Sequence, residues 1–352
     1  MIISEWIDSE DEKTGIINLS RKVFGNVEIT NPQFFDWQYR QNPSGKAFIV
    51  LAKDEEKKNS IIGIESIIPM RLIIDQKIIN ASLSCNSAVD PDYQKKGIFS
   101  QLISTMQDKS IKKGISCVYG VANDNSINSF IKKGSIEIIN LPLLARPLKL
   151  SKYFSQPLGT LFEPFDGIWK IKRKISSNVV LFTSQFNAEF DDLTEKASKR
   201  VSIIQKRDKE FLQWRYGNHP SRKYRIFVLK EDSILRGYVI TSYAIIHGKP
   251  IGIIVDFLVD AEVENKEPFK DLLYVALEDL WKSEVSLAIA TCRPGLVENE
   301  ILKETGFFTI PQIFKPQPLH FILIQFDSSN NNLNKLKAIE NWYFSFGDYD
   351  VF

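Results

Sequence analysis

Short apolar runs with the period of a strand alternate along this chain with longer segments whose apolar positions recur every three or four residues, as in a helix. Residues 47–53 and 80–90 read as strands, and residues 99–113 as an amphipathic helix. The same succession returns later, with strand-like stretches at 224–230 and 251–260 and an amphipathic helix at 268–283. In each series an apolar segment carrying a glycine, Gly63 or Gly237, precedes a strand that ends in Val-Asp, at Val89-Asp90 or Val259-Asp260. Mixed strand and helix periods predict an α/β (α+β) protein.

The words repeat as well as the pattern. Phe34-Phe35-Asp36-Trp37-Gln38-Tyr39-Arg40-Gln41-Asn42-Pro43 is matched by Phe211-Leu212-Gln213-Trp214-Arg215-Tyr216-Gly217-Asn218-His219-Pro220. Phe130-Ile131-Lys132-Lys133-Gly134 is matched by Leu302-Lys303-Glu304-Thr305-Gly306, and each leads to a Pro-Leu pair, Pro147-Leu148 or Pro318-Leu319. Landmarks aligned over about a hundred residues per copy point to a tandem duplication. The division expected is 1–150, a connector at 151–209, and 210–352. The connector holds Pro157, Pro164 and the basic run 170–174, which reads as the solvated face of a linker.

With 352 residues the chain can bury two cores. The 45 basic and 43 acidic residues leave a net charge of +2, which gives no electrostatic footprint for nucleic acid. Three cysteines, Cys85, Cys117 and Cys292, without ligand spacing, together with three histidines, argue against a metal site and fit a reducing cytoplasm. No stretch of about 20 apolar residues predicts membrane insertion, and the N-terminus has no export pattern.

Between the second strand-like stretch and its helix the first copy reads Gln94-Lys95-Lys96-Gly97-Ile98-Phe99-Ser100. A strand, a glycine turn and a helix start leave backbone N–H groups pointing one way, which suits a pyrophosphate, and Lys95 and Lys96 add charge there. This segment resembles the central motif of the GNAT acyltransferase superfamily, with Phe99 where that motif has glycine or alanine. Asn123, Ser126, Phe130 and Gly134 resemble its second motif in all four spacings. The resemblance implies two tandem GNAT-like domains, each a mixed, mostly antiparallel sheet flanked by helices, and coenzyme A as the acyl carrier. It places Ala88, Val89, Gln94 to Ser100, Asn123, Ser126 and Phe130 at the coenzyme A, with an oxyanion donor among the backbone N–H groups near Ala88 or Val89. Phe130 stands where a tyrosine often protonates the departing thiolate, and a phenyl ring has no proton to give. The second copy reads as acidic and without glycine at the place of the loop and has Gly295 in place of the asparagine, so it is expected not to bind coenzyme A but to wall the acceptor pocket.

For the chemistry, Glu65, Cys85 and Asn86 are the polar candidates on the strands beside the loop. Glu65 is either an outward solvated residue or the base, whereas Asn86 can orient an amine or a water but cannot take a proton. Trp37, Tyr39, Arg40, Trp214, Arg215 and Tyr216 are either core or an acceptor surface for a base, sugar or phosphate, and Asp256 is the second copy's counterpart of Asn86. The whole chain, with its tail from Asn341 to Phe352, is similar to nucleotide-sugar N-acyltransferases acting on dTDP-3-amino-3,6-dideoxyhexoses, including the 3-hydroxybutanoyl-transferring type. That implies a small amine acceptor linked to a nucleotide. Open beside it are a tandem aminoacyl or protein-lysine acyltransferase and a coenzyme A binding protein without turnover.

Overall fold

The structure, a computed structural model, describes residues 1–171, 178–260, 265–315, 317–326 and 331–349. In chain order its elements are β1 (Ile2–Glu5), α1 (Glu10–Phe24), α2 (Pro32–Tyr39), β2 (Phe48–Asp54), β3 (Ser60–Ile74), β4 (Lys77–Val89), α3 (Ile98–Lys112), β5 (Cys117–Ala122), α4 (Ile127–Lys132), β6 (Ile136–Asn140) and β7 (Leu144–Pro147). They continue as α5 (Leu158–Asp166), β8 (Val179–Phe182), α6 (Ala188–Arg200), β9 (Ile203–Gln205), α7 (Lys209–Leu212), β10 (Arg225–Glu231), β11 (Ile234–Ile246) and β12 (Lys249–Val259). Last come α8 (Glu267–Lys282), β13 (Leu287–Ala290), α9 (Val297–Glu304), β14 (Phe308–Thr309) and β15 (His320–Gln325). Residues 172–174 of the basic run, 261–264 of the acidic stretch and 350–352 of the tail lie outside the described residues.

These elements pack into two units, each assembled from separated stretches of chain. One comprises 1–140, 218–221 and 317–339, the other 141–217, 222–316 and 340–352. The boundaries expected at 150 and 210 divide the chain differently. The segment expected to connect the copies gives α5, β8, α6 and α7 to the second unit. The sheets explain why the stretches are separated. The first runs β1-β2-β3-β4-β5-β15-β6 and the second β14-β7-β13-β12-β11-β10-β8. Each copy's late strand is thus built into the other copy's sheet, β15 against β5 and β6, and β7 against β13 and β14. Apolar alternation marks these segments as strands but does not name their partners. On both paths one central pair is parallel, β4 with β5 and β12 with β13, and the other pairings are antiparallel, so both sheets are mixed as expected.

Local sequence accounts for the helices that border the first sheet. Ser9 accepts from the N–H of Glu12 at 3.2 Å to open α1, whose first turn is acidic and whose last turn holds Arg21 and Lys22. Asn31 caps α2 ahead of Pro32, where a missing N–H costs nothing. Helix α3 lays Ile98, Leu102 and Met106 on Val50, Ala52, Ile67 and Val118. It comes so near β3 that a methyl group on Gly63 would stand 3.0 Å from Leu102.

Both central strands carry a bulge at the corresponding place. Ile64 pairs with Ala88 and Ser66 with Cys85, so β4 has one extra residue opposite Glu65, and Asn86 sits there in the left-handed region at φ 54°. On β12, Ile240 pairs with Asp256 and Thr241 with Ile254, which leaves Val255 extra. Beside each bulge the parallel pairing gives out. It spans Ala81 to Leu83 against Cys117 to Tyr119 in the first sheet and Ile251 to Ile253 against Leu287 to Ile289 in the second. Each sheet therefore opens at its centre.

Candidate active site

The loop from Asp90 to Gly97 leaves the open edge of the first sheet and is stiffened before it reaches α3. Asp90 accepts from the N–H of Asp92 at 3.0 Å, and Lys22 grips Asp90 and Asp92 at 2.6 and 2.7 Å. Tyr93 donates to Asp54 and lies under the ammonium groups of Lys57 and Lys96. Gln94 turns its amide back to the carbonyl of Val89 at 3.2 Å. Lys95 and Gly97 both take positive φ, 63° and 76°, and Gly97 opens the helix as its left-handed cap with nothing within 4 Å of where a Cβ would stand. The first bond of the helix runs from the N–H of Gln101 to the carbonyl of Gly97 at 3.1 Å. The N–H groups of Lys95, Lys96, Gly97, Ile98, Phe99 and Ser100 consequently find no protein acceptor among the described residues. Consecutive free donors at the start of a 15-residue helix form an anion cradle, and they fit a pyrophosphate.

Asn123 follows β5 at the other lip of the opening. Its side-chain oxygen accepts from the N–H groups of Asn125 and Ser126, both at 3.1 Å, and from the Ser126 hydroxyl at 3.2 Å, and so builds the turn that starts α4. Phe130 is buried with Ile103, Ala122, Ile127 and Ile322, its ring edge-on to Phe99 at 5.4 Å. The aromatic at position 99 is thereby explained. It packs on Phe130, leaving its own N–H in the cradle.

The structure separates the three polar candidates across the sheet. Glu65 is 2% exposed on the α3 side, where one oxygen accepts from Ser84 at 2.9 Å and the other has no partner. Burial pushes its pKa up to about 7, against the hydrogen bonds from Ser87 and Ser84 that lower it. It is no solvated outward residue. It lines a cavity of about 20 Å³, room for one water, among Ser84, Ile103, Met106, Tyr119 and Phe130. Ala88 is buried opposite Ile64, and Val89 lies opposite Gly63 at the end of β4. Cys85 and Asn86 belong to the α2 side. There Ser66 donates to the carbonyl of Cys85 at 2.5 Å, Tyr39 is 3.0 Å from Ser66, and the Asn86 amide donates to Tyr39 at 3.0 Å and to Gln38 at 2.8 Å. Sequence reasoning missed Gln38, Ser66 and Ser84. The one available signal was the Glu65-Ser66 pair inside an apolar strand.

Most of the aromatic and arginine candidates are structural. Trp37 is buried against Phe34 and His219, with ring centroids 5.1 and 4.4 Å away. Arg40 is held by Asp8, Asp36 and Glu10 at 2.7, 2.7 and 2.9 Å, and although burial works against its charge these three carboxylates hold its pKa above the ordinary value. Its Nε and Nη1 donors are thereby taken up by carboxylates of the protein. Trp214 is buried beside Phe211, and buried Arg215 donates to the carbonyl of Tyr349. Tyr216 is buried too, its pKa raised first by burial and then by the charge of Asp256.

Asp256 itself is no acceptor-facing counterpart of Asn86. It is enclosed by the Arg207 guanidinium at 3.0 Å, the Tyr238 hydroxyl at 2.9 Å, the Ser345 hydroxyl at 2.8 Å and the N–H of Phe257 at 3.1 Å. Arg207 also reaches Asp348 at 2.7 Å, and Asp348 closes a capping box with Ser345. Burial lowers the pKa of Arg207, but Asp256 and Asp348 outweigh it and raise it well above the ordinary value. Tyr343, from the same tail, donates to the carbonyl of Phe257, where β12 has lost its parallel partner. The opening of the second sheet is thus filled by the segment Trp342 to Tyr349.

Residues 8–129, which include the loop and the turn at Asn123, match the family model described as an acetyltransferase (GNAT) domain. The fold is similar to that of Saccharomyces cerevisiae N-myristoyltransferase with bound myristoyl-CoA, at TM-score 0.65 and 14% identity over 93% of this chain and 83% of that one. It is similar also to a GCN5-related N-acetyltransferase from Anabaena variabilis, at TM-score 0.62 and 11% identity over 92% and 72% of the two chains. A probable N-acyltransferase from Enterococcus faecalis, a conserved protein of unknown function, gives TM-score 0.62 and 11% identity over 92% and 73%. No curated protein matches in sequence. At these identities the structures speak to fold. The family match places an acetyltransferase (GNAT) domain at residues 8–129 of the chain. Among the described residues no helix is long and apolar enough to cross a membrane.

Proposed function

We propose that the first unit transfers a short acyl group from acyl-CoA to the amine of a nucleotide-linked amino sugar, a dTDP-3-amino-3,6-dideoxyhexose, for surface-polysaccharide biosynthesis in the cytoplasm. The observation that carries the acyl-CoA half is the row of free N–H groups from Lys95 to Ser100 at the lip of an opened sheet. The acceptor half rests on the resemblance read from the sequence alone. Gln94 to Ser100 hold the pyrophosphate, and the turn at Asn123 and Ser126 borders the arm that reaches into the opening.

A short acyl group such as 3-hydroxybutanoyl is what the resemblance of the sequence to the nucleotide-sugar enzymes implies.

In the transfer the amine nitrogen bonds to the thioester carbon and the carbon–sulfur bond breaks. The amine gives one proton to water. Phe130 cannot protonate the departing sulfur, which takes a proton from water or leaves as the thiolate, the ordinary pKa of a thiol being about 8.5. Positioning of the amine against the thioester then supplies most of the rate.

The test is to incubate the purified protein with acyl-CoA donors of increasing length and a set of amines, namely amino-sugar nucleotides, a lysine peptide and free amino sugars. Free thiol and product mass are followed. Thiol release with a short donor and an amino-sugar nucleotide is expected. Turnover confined to the lysine peptide would overturn the acceptor, and tight coenzyme A binding with no turnover on any amine would overturn the reaction.

A further inference from the structure

The hydrogen bonds on the α2 side of β4 have a direction that can be worked out proton by proton. A carbonyl oxygen only accepts, so at 2.5 Å from the carbonyl of Cys85 the hydroxyl of Ser66 must donate. That uses its single proton. Tyr39, 3.0 Å from the same hydroxyl, must then donate to it, which uses the phenol's proton. The Asn86 amide, 3.0 Å from the phenol, can therefore meet it only with its NH₂ group, whose other proton goes to Gln38 at 2.8 Å. The amide is fixed by this relay rather than by an arbitrary choice between nitrogen and oxygen. Its oxygen is left as a lone acceptor without a partner among the described residues, on a half-buried side chain at the bulge where the sheet opens.

We infer that the Asn86 side-chain oxygen binds the acceptor amine, taking one N–H and turning the nitrogen lone pair toward the thioester carbon, with Tyr39 and Ser66 as positioning residues that keep the amide from rotating. This rests on the reading of the first unit as an N-acyltransferase site and adds the residue that holds its second substrate. An amide suits the task. It accepts from an N–H without offering a charge that would hold the amine as an ammonium ion, as a carboxylate there would do. The bulge supplies the aim, because a residue at φ 54° leaves the alternation of an ordinary strand. Asparagine is among the few side chains that tolerate that backbone. Orientation of one reacting group is worth orders of magnitude in rate when the geometry is fixed.

The experiment compares wild type with Asn86→Gly, which keeps the left-handed backbone while deleting the amide, and with Tyr39→Phe, which removes only the relay's middle hydroxyl. Initial rates are measured on the amine that wild type acylates, and acyl-CoA binding is measured separately by calorimetry. For Asn86→Gly the expected result is a fall in kcat/KM for the amine of about 100-fold with acyl-CoA affinity unchanged. Tyr39→Phe should lose about tenfold, mostly in kcat, because the amide then rotates between two states. Unchanged kcat/KM in Asn86→Gly, with wild type active, would overturn the inference and leave the acyltransferase reading standing. An equal loss of acyl-CoA affinity in both variants would also overturn it, since the effect would then be structural. Wild type inactive on every amine would instead sink the underlying reading.

Discussion

The two bulged strands, β4 and β12, set the same backbone device to opposite ends. At the first, the residues around the bulge are polar, neutral or protonatable, and incompletely satisfied. Asn86 keeps a free oxygen, Glu65 keeps one too, and the adjoining loop offers free N–H groups. At the second, Asp256 is ringed by four donors, and the tail segment Trp342 to Tyr349 fills the opening. Buried atoms without a partner among the described residues occur at both, one Glu65 oxygen at the first and the Tyr216 hydroxyl and one Asp348 oxygen at the second, so the difference lies in the loop of free N–H groups that adjoins the first alone. The duplicated architecture carries a bulge in both sheets, and the loop with free N–H groups follows only the first.

The largest effect that tests this contrast lies in the second unit. Arg207→Ala leaves Asp256 and Asp348 buried without their cation, and breaking such a pair costs about 3–5 kcal/mol. Urea unfolding at neutral pH should show that loss. A change below about 1 kcal/mol, the scale of an exposed ion pair, would mean that the second opening is not sealed as described.

A smaller effect of different sign is expected at Glu65. Its folded pKa of about 7 lies above the ordinary value of 4.5, so the folded protein holds the proton more tightly than the unfolded chain. The stability this gives is full below about pH 4.5 and is lost as pH rises toward 7, beyond which the buried carboxylate is a constant burden. Glu65→Gln should therefore unfold at a free energy that differs from wild type in pH dependence over that window. By pH 8 it should be relatively more stable than at pH 4.5 by about 3 kcal/mol, at 1.36 kcal/mol per pKa unit. If the two proteins keep parallel profiles from pH 4.5 to 8, Glu65 is solvated, and the first bulge is less enclosed than its cavity implies.

How much of this was legible beforehand depends on whether the cause is local. The glycine of the loop and the succession of strands and helices are written in short stretches of sequence and are legible there, whereas the caps at Ser9 and Asn31 emerge only with the structure. The exchange of β7 and β15 is not legible, because pairing partners are chosen by contacts far apart along the chain. The same holds for Arg40, whose three carboxylates lie at Asp8, Glu10 and Asp36, and for Asp256, whose partners include Ser345 at the far end of the tail. Phe130 was singled out by motif spacing, which gave its position but not that its ring is spent against Phe99. The bulge at Asn86 had one faint sign, an asparagine in a strand, since that residue is enriched where φ is positive.

The finest test uses two glycines with the same backbone demand. Gly97 at φ 76° and Gly248 at φ 73°, in the turn between β11 and β12, both have nothing within 4 Å of a Cβ. Alanine at either place meets no clash, so each substitution should cost only the left-handed strain, about 1 kcal/mol of stability. Their effects on ligand should nevertheless part. Gly97→Ala tilts the first donors of α3, and acyl-CoA affinity should fall about tenfold, as one misdirected pair of N–H groups implies. Gly248→Ala should bind acyl-CoA as wild type does. Matched losses of stability with matched affinities would show that the N–H groups after Gly97 do not hold the pyrophosphate. The contrast between the open bulge and the sealed one would then rest on Asn86 and Glu65 alone.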